Sequence, residues 1–176
     1  MKNLIINNNL YHKSKIEFNE KSNQIFDFLE LLEDEYPGFK DWYFNKVIPG
    51  VIFNKRQILL KTYKNEFVGI SIVKKDLLES KICTFRVSDK FQGIGVGTQM
   101  MSETINFLGT KSPKITVSEN RIEQFSSILN RFNFNLENIY PSYYLKGKKE
   151  YSFNGEIEEF NKNLINHFNQ KSNIQF

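Results

Sequence analysis

The sequence lacks a second cysteine, an arginine-rich stretch and any apolar run long enough to cross a bilayer. Because Cys83 stands alone, no disulfide can form within the chain, which favours a reducing compartment. The first residues, MKNLIINNNLYHKSK, contain too short and too polar an apolar patch for a signal peptide. We therefore expect a cytoplasmic protein without a membrane partner.

Charge of one sign is only mildly in excess. The formal net charge is +4 and the isoelectric point is about 9.0. Lysines collect loosely at 74–75 and 146–149, without the interleaved arginine and aromatic side chains of a nucleic-acid surface. Solvated lysines that attract anionic ligands are the simpler interpretation, so a nucleic-acid partner stays open but is not favoured.

Apolar and aromatic side chains are plentiful. The 176 residues are 40% hydrophobic and 15% aromatic, which is enough to form the core of one domain. We predict an N-terminal extension at 1–15, a main domain at 16–155 and a C-terminal helical tail at 156–176. The tail can pack on its own domain or pair with a second copy, so both a monomer and a homodimer remain open.

Hydrophobic periodicity predicts a first half of helices followed by strands. We expect a strand at 16–23, a helix capped by Ser22, and a second helical stretch that Pro49 and Gly50 end. A β-hairpin follows at 56–64 and 67–75, and a third strand at 81–87 runs directly into a glycine-rich stretch.

The second half alternates helices with strands. A helix is predicted from Thr98 to Gly109, and a short strand at 114–117. Asn120 and Glu123 resemble a capping box that opens another helix, and two extended segments follow around a turn at Gly147. The fold class is therefore α+β.

The stretch FQGIGVGTQM, residues 91–100, suits an anion site. The N–H groups at the start of a helix have no partner within it, and the helix dipole favours negative charge there. Glycine adds unusual backbone angles and no Cβ to keep a phosphate away. Each hydrogen bond to a charged group contributes about 1.5–3 kcal/mol. A plain flexible turn or close strand–helix packing is the competing interpretation.

The spacing of the glycines excludes the two common nucleotide motifs. The dinucleotide pattern G-x-G-x-x-G would need glycine where Thr98 or Met100 stands. A Walker loop would need a lysine between Gly97 and Thr98. The register that fits is Gln-x-x-Gly-x-Gly, formed by Gln92, Gly95 and Gly97.

In this register, FRVSDKFQGIGVGTQMMSETINFL resembles the acetyl-coenzyme A motif of the GNAT superfamily of N-acetyltransferases. The order of the predicted elements across 16–155 agrees with that family. The resemblance implies a mixed, mostly antiparallel central sheet with helices on both faces, in which the fourth and fifth strands splay apart. It also implies an acetyl-CoA-dependent N-acetyltransferase that uses acetyl-CoA as co-substrate, and a small-molecule, peptide or other amine as acceptor.

The resemblance assigns cofactor contacts to two segments. Phe85, Arg86 and Val87 would face the pantetheine arm and the thioester through their backbone, and an N–H near Phe85 would polarise the acetyl carbonyl. The pyrophosphate would be held by the following stretch: Gln92, Gly93, Ile94, Gly95, Val96, Gly97 and Thr98.

The catalytic residues are harder to assign. The family often uses a tyrosine acid in a Leu-Tyr-x-x-x-Gly-Phe pattern, but the matching stretch, ILNRFNF, has Leu129 at the tyrosine position. Glu119, at the end of a strand, is a candidate base; Tyr143 and Tyr144 face opposite ways on the next extended segment, so one of them, with Tyr144 as our choice, is a candidate acid. Both have simpler structural interpretations. Cys83 is expected to be a core residue, and no histidine has metal-ligand spacing, so we expect no metal.

Two alternatives to catalysis stay open. Because Leu129 donates no proton, the protein could be a non-catalytic module of the same fold that binds or senses acyl-CoA. The lysines at 146–149 leave an RNA-directed protein as the second alternative.

Overall fold

The computed structural model describes residues 1–77 and 79–157. Seven strands form one sheet in the order β1-β2-β3-β4-β5-β7-β6. The strands are β1 Lys2–Ile6, β2 Arg56–Tyr63, β3 Glu66–Lys75, β4 Ser80–Val87, β5 Lys114–Ser118, β6 Leu136–Pro141 and β7 Lys149–Phe153. Neighbouring strands run antiparallel, except that β4 and β5 are parallel.

Helices cover both faces of this sheet. The α-helices are α1 Asn8–Lys13, α2 Lys15–Leu29, α3 Phe39–Trp42, α4 Ile48–Ile52, α5 Val96–Leu108 and α6 Ile122–Arg131. A 3-10 turn extends α2 over Glu30–Asp34, and a π-helical turn, Tyr43–Val47, joins α3 to α4. No helix in the described part of the chain is long and apolar enough to span a membrane.

The two helical layers bury separate cores. On one face, α1–α4 pack on the first half of the sheet around buried side chains such as Phe18, Tyr43 and Ile70. On the other face, α5 and α6 pack around Met101, Leu129 and their neighbours. The predicted α+β fold with helices on both faces is therefore confirmed.

The N-terminal part of the chain corrects two sequence predictions. Residues 16–23, predicted as a strand, belong to helix α2, where Phe18, Ser22 and Ile25 are buried at helical spacing and Ile16 is 74% exposed. The helix cap is Ser14, whose Oγ accepts a hydrogen bond from the Glu17 N–H, and Ser22 lies inside the helix. The first strand of the sheet comes from residues 2–6, within the predicted extension.

Two other predicted helix boundaries are also wrong. Pro49 and Gly50 lie inside α4 instead of ending it, since proline is tolerated in the first turn of a helix. Helix α6 has Arg121 at its N-cap, without a side-chain cap, so Asn120 and Glu123 form no capping box. The hairpin turn, the helix end at Gly109 and the turn at Gly147 agree with prediction.

The sheet is open between β4 and β5. Their pairing consists of two registered positions, Lys81 with Lys114 and Ile82 with Ile115. Beyond Ile82 the two strands separate, so the carboxyl half of β4 has no partner on this side in the described structure. The predicted splay of the fourth and fifth strands is confirmed. The predicted helical tail falls almost wholly outside the described residues.

Candidate functional site

The glycine loop lies between the open end of β4 and the start of α5. Among the hydrogen bonds of the described residues, none has a backbone N–H from Gly93 to Thr98 as its donor. The first intrahelical bond in this region runs from the Gln99 N–H to the Gly95 carbonyl. Six consecutive amides, together with the positive end of the α5 dipole, are therefore available to an anion.

Backbone conformation explains why glycine is needed in this loop. Gly93 and Gly95 have φ values of +73° and +87°, which L side chains rarely adopt. A Cβ placed on either residue would meet no atom within 4 Å, so the space beside the loop is open. The loop is thus shaped by its backbone and faces solvent, as an anion cradle must.

Gln92 differs from the other residues of the predicted pyrophosphate site. Its amide N–H donates to the Asp89 carbonyl at 3.3 Å, and its side chain donates to the Val87 carbonyl at 3.1 Å. The Gln92 side-chain oxygen in turn accepts from Gln124 on α6 at 2.9 Å. In the structure, Gln92 ties the loop to β4 and α6, so it positions the cradle without offering a free amide to it.

The backbone of β4 presents polar groups to the gap beside β5. The Ser88 N–H donates to the Val68 carbonyl of β3, and hydrogen bonds alternate along an antiparallel pair. In the register that pairs Phe85 with Ser71, the N–H and C=O of Phe85 and Val87 therefore point away from β3. They face the gap, where an extended ligand could pair with them.

The side chains at the end of β4 lie on opposite faces of the sheet. Phe85 packs edge-on against Phe125 of α6, on the face that carries the glycine loop. Arg86 lies on the other face, where its guanidinium stacks over the Phe28 ring and donates to the Phe28 carbonyl at 2.7 Å. In the register given above, the backbone N–H groups of Phe85 and Val87 point into the gap, whereas the backbone N–H and C=O of Arg86 point toward β3.

The position of the missing family tyrosine, Leu129, and the candidate base, Glu119, both have partners within the protein. Leu129, on α6, is 2% exposed and packs in the core. A leucine side chain has no proton to donate. Glu119 follows β5, and its carboxylate accepts from the Lys149 N–H at 3.3 Å and lies 3.6 Å from the Lys149 ammonium. Glu119 thus borders the cleft, but Lys149 of β7 holds it.

The structure adds a carboxylate that the sequence analysis missed. Glu150, on β7, is 2% exposed, and its Oε1 has no hydrogen-bond partner among the described residues. Burial raises the pKa of Glu150 to about 7; the Thr116 hydroxyl and the Lys81 ammonium oppose this rise, and the Glu35 carboxylate adds to it. A carboxyl group in this state can exchange a proton near neutral pH.

A second buried carboxylate lies close to Glu150 and is fully engaged. Glu35, which follows the 3-10 turn after α2, accepts from the Arg121 guanidinium at 2.7 Å and from the Ser118 hydroxyl at 3.0 Å. This network connects the helical layer to the end of β5 across the cleft. Because Glu35 is buried and both of its oxygens are bonded, it acts as a structural anchor there.

Two tyrosines wall the same region. The rings of Tyr36 and Tyr144 meet edge-on at 5.3 Å. Burial, and then the Glu150 carboxylate, raises the pKa of each phenol above its ordinary value, so both remain protonated at neutral pH. Although Tyr144 is 42% exposed as a residue, its hydroxyl end lies beside Thr116 and near Cys83 of β4. Tyr144 therefore reaches over β5 toward the gap.

These groups surround one small pocket on the face opposite the glycine loop's helix. The pocket has a volume of about 10 Å³, close to the size of one water molecule, and its lining includes Glu35, Ser118, Tyr144, Lys149 and Glu150. We call it the carboxylate pocket.

Cys83 lies nearby on β4, where its sulfur accepts from Arg56, and burial raises the pKa of its thiol. This disfavours a nucleophilic thiolate, as predicted.

A weak signal in the sequence could have found Glu150. The segment KEYSF alternates polar and apolar residues, so Glu150 and Ser152 share one face of a strand. In a strand of this kind a glutamate normally faces solvent. Glu35, from a distant part of the chain, and Tyr144, from the connection that precedes β7, line the same pocket as Glu150.

Comparisons with known proteins give different results for sequence and for structure. No protein-family model and no curated protein matches the chain. Solved structures do match it. The similarity is therefore one of fold at low sequence identity.

Three of these structures illustrate the match. A protein from Desulfovibrio desulfuricans, assigned to the GNAT family as an acetyltransferase, has a TM-score of 0.52 at 12% identity, over 62% of this chain and 73% of its own. IAA acetyltransferase from Bacillus cereus also has a TM-score of 0.52, at 10% identity, over 62% of this chain and 81% of its own. The ribosomal-protein-S18-alanine N-acetyltransferase of Escherichia coli has a TM-score of 0.50 at 16% identity, over 60% of this chain and 74% of its own.

All three are acetyltransferases by name, and the first is assigned to the GNAT family. The open β4–β5 pair and the glycine loop at the start of α5 occupy the positions that the motif around Gln92, Gly95 and Gly97 predicted. The protein has the fold of the GNAT superfamily of N-acetyltransferases.

Proposed function

We propose that the protein is an acetyl-CoA-dependent N-acetyltransferase that transfers an acetyl group to a primary amine by direct attack on the thioester. The observation that carries this proposal is the run of unpaired amides from Gly93 to Thr98 at the start of α5. These amides lie beside a gap in the sheet that an extended pantetheine arm could fill.

The chain's own groups fit the parts of acetyl-CoA. The N–H groups of the glycine loop would bind the pyrophosphate, each contributing about 1.5–3 kcal/mol. The N–H and C=O of Phe85 and the N–H of Val87 would pair with the pantetheine amides as a neighbouring strand does. The Phe85 N–H is the donor we assign to the thioester carbonyl, where negative charge develops during attack.

Proton transfer at the thiol end is assigned to Tyr144. Its hydroxyl stays protonated at neutral pH and lies near β4. A departing thiolate leaves more easily when an acid protonates it, and Tyr144 would replace the tyrosine that is missing at Leu129. Glu119 remains a candidate base at the cleft border, since it is partly exposed and Lys149 is its partner.

Binding of acetyl-CoA is the direct test of the cradle. Gly95→Trp fills the open space beside the loop and should abolish binding in a calorimetric titration. Gly147→Trp is the matched control, because Gly147 also has a positive φ and open space where a Cβ would lie, but it belongs to the β6–β7 turn. We expect the control to bind acetyl-CoA as the unmodified protein does.

Two results would contradict the cradle. Absence of binding by the unmodified protein at millimolar acetyl-CoA rejects the cofactor assignment. Retained affinity in Gly95→Trp rejects the placement of the pyrophosphate.

Free-thiol release with amine acceptors then separates an enzyme from a sensor of acyl-CoA, since a sensor binds without turnover. A steep fall of RNA affinity with salt would support the RNA-directed alternative.

A further inference from the structure

We propose that Glu150 is the general base that removes the proton from the acceptor's ammonium group. This inference rests on the proposed acetyltransferase function and assigns the residue that makes the acceptor nucleophilic. It differs from the sequence-based candidate, Glu119, and places the proton chemistry on β7 and the β6–β7 connection.

Burial and an open hydrogen-bonding position carry the argument. Glu150 is 2% exposed, and its Oε1 is buried without a partner in the described structure. A buried carboxylate oxygen without a partner is costly, so proteins normally satisfy it. The neighbouring carboxylate of Glu35 shows the contrast, because Arg121 and Ser118 bond both of its oxygens. Glu150 keeps one oxygen free, and its side chain lines the carboxylate pocket.

The position of Glu150 relative to the gap is suitable. Glu150 pairs with Ser118 of β5, and β5 alone lies between β7 and the gap. Adjacent strands are about 4.8 Å apart. A carboxylate on this face can therefore reach an amine that lies over β5, directly or through one water molecule. Tyr144, whose hydroxyl lies near Cys83 of β4, spans the same distance.

The charged groups around Glu150 agree with this role. The titratable side chains that face it come from four elements or connections, namely Glu35, Tyr36, Lys81, Tyr144 and, at the rim of the pocket, Lys148 and Lys149. Burial is the dominant influence and favours the neutral form, whereas Thr116 and Lys81 favour the charged form. Their balance leaves the pKa of Glu150 near the pH at which a base works best.

The reaction step balances with these groups. Glu150 takes one proton from R–NH₃⁺, and the free amine attacks the thioester carbonyl carbon. The new C–N bond forms, the C–S bond breaks, and the sulfur leaves with the electron pair of that bond. Tyr144 protonates the thiolate and recovers a proton from the nitrogen, which becomes the neutral amide. Glu150 then releases its proton to solvent, so the products are the acetylated amine, the thiol and one proton.

Glu150 also selects the class of acceptor. A buried carboxylate attracts a cation and gains a hydrogen bond from it, and Tyr36 and Tyr144 provide flat walls beside it. An ammonium group thus supplies the missing partner of Oε1. The preferred acceptors are therefore primary amines that are cationic at neutral pH, and alcohols should be poor acceptors.

The test measures thiol release from acetyl-CoA with n-butylamine, benzylamine and 1,5-diaminopentane from about pH 5.5 to about pH 9, a range that brackets the working pH of a general base. In the unmodified protein we expect kcat/KM to rise with pH through an inflection near 7, where Glu150 loses its proton. Uncatalysed aminolysis by an alkylamine such as n-butylamine instead keeps rising toward the amine's own pKa near ~10.4. Glu150→Gln should lower kcat/KM at neutral pH by about 100-fold and remove the inflection. Acetyl-CoA affinity should stay within about twofold, because Glu150 lies outside the glycine loop.

Two further variants make the result specific. Glu20→Gln removes an exposed carboxylate on α2 that belongs neither to the lining of the carboxylate pocket nor to the glycine loop, and should keep both the rate and the inflection. Glu119→Gln tests the competing base, and it should retain the inflection near neutral pH. If Glu150→Gln fails to bind acetyl-CoA, Glu150→Asp replaces it, and this variant should keep the inflection at a lower rate.

The outcomes separate the two proposals. An unmodified protein that turns over while Glu150→Gln keeps its rate and inflection overturns the role of Glu150 and leaves the acetyltransferase proposal standing. Loss of the inflection in Glu119→Gln, or in Glu150→Asp, also overturns it. A protein that binds no acetyl-CoA, or releases no thiol with any of the amines, overturns the acetyltransferase proposal and this inference with it.

Discussion

At the scale of single residues, the burial of the Glu150 carboxyl group links stability to pH. Its pKa of about 7 in the folded protein lies above the ordinary value of 4.5, so the folded state holds the proton more tightly. A group of this kind contributes its full stability below about pH 4.5, and the contribution is lost as the pH rises through about 7. Ionisation of Glu150 therefore lowers the unfolding free energy of the protein.

Glu150→Gln should remove this dependence. A glutamine cannot ionise, so the variant should gain roughly 2–3 kcal/mol in unfolding free energy relative to the unmodified protein between about pH 5 and about pH 8. Denaturant unfolding of both proteins at the two pH values measures this double difference, in which the other titrating groups cancel. A difference that stays constant with pH would show that the folded protein does not raise the pKa of Glu150.

At the scale of elements, the start of α2 shows how a local pattern misleads. Ile16 and Phe18 alternate with polar residues as in a strand, but Ser14 caps a helix that contains both. Side chains at 18, 22, 25, 26 and 29 then face the core at helical spacing. A segment as short as 16–23 does not show whether its apolar residues follow the strand period or the helix period. The helical spacing becomes clear only over the whole of α2, which begins at Lys15.

Alanine substitutions at Ser14 and Ser22 test this boundary. Ser14→Ala removes the hydrogen bond to the Glu17 N–H and should lower the unfolding free energy by about 1 kcal/mol. Ser22→Ala removes a hydroxyl that donates to the Phe18 carbonyl within the helix, and should cost about half as much or less. Denaturant unfolding compares the two variants. The reverse order would place the helix start at Ser22.

At the scale of the whole molecule, the open β4–β5 pair separates two neighbouring amides. The Phe85 N–H faces the gap, whereas the Arg86 N–H faces β3 in the antiparallel register. The proposed pantetheine site would cover the first and leave the second unchanged. Adjacent residues thus provide an internal comparison for ligand binding.

Hydrogen exchange followed by NMR measures this comparison. Without ligand, we expect the Phe85 amide to exchange at least about tenfold faster than the Arg86 amide. Saturating acetyl-CoA should slow exchange at Phe85 and at the amides of 93–98 by about tenfold or more, with Arg86 unchanged. Equal exchange at Phe85 with and without acetyl-CoA would remove the gap from the proposed binding site.

The order of the elements from β2 to β7 and the glycine loop could be predicted from the sequence. The change of period predicts a helix from Thr98, two residues after α5 begins at Val96, and the positive φ of Gly93 and Gly95 is a local requirement that the residue type reveals. These features depend on neighbours within a few positions, which a sequence displays directly. The splayed sheet was implied by the family resemblance that the register of Gln92, Gly95 and Gly97 carries.

The tertiary structure alone decided the position of β1 and the nature of the carboxylate pocket. Residues 2–6 become a strand because β2, at 56–63, pairs with them from a distant part of the chain. Glu150 acquires a raised pKa because it is buried and because the Glu35 carboxylate, from the opposite end of the sequence, adds to the rise. Burial and the electrostatic influence of distant groups arise from packing in three dimensions, so no short segment of the sequence encodes them.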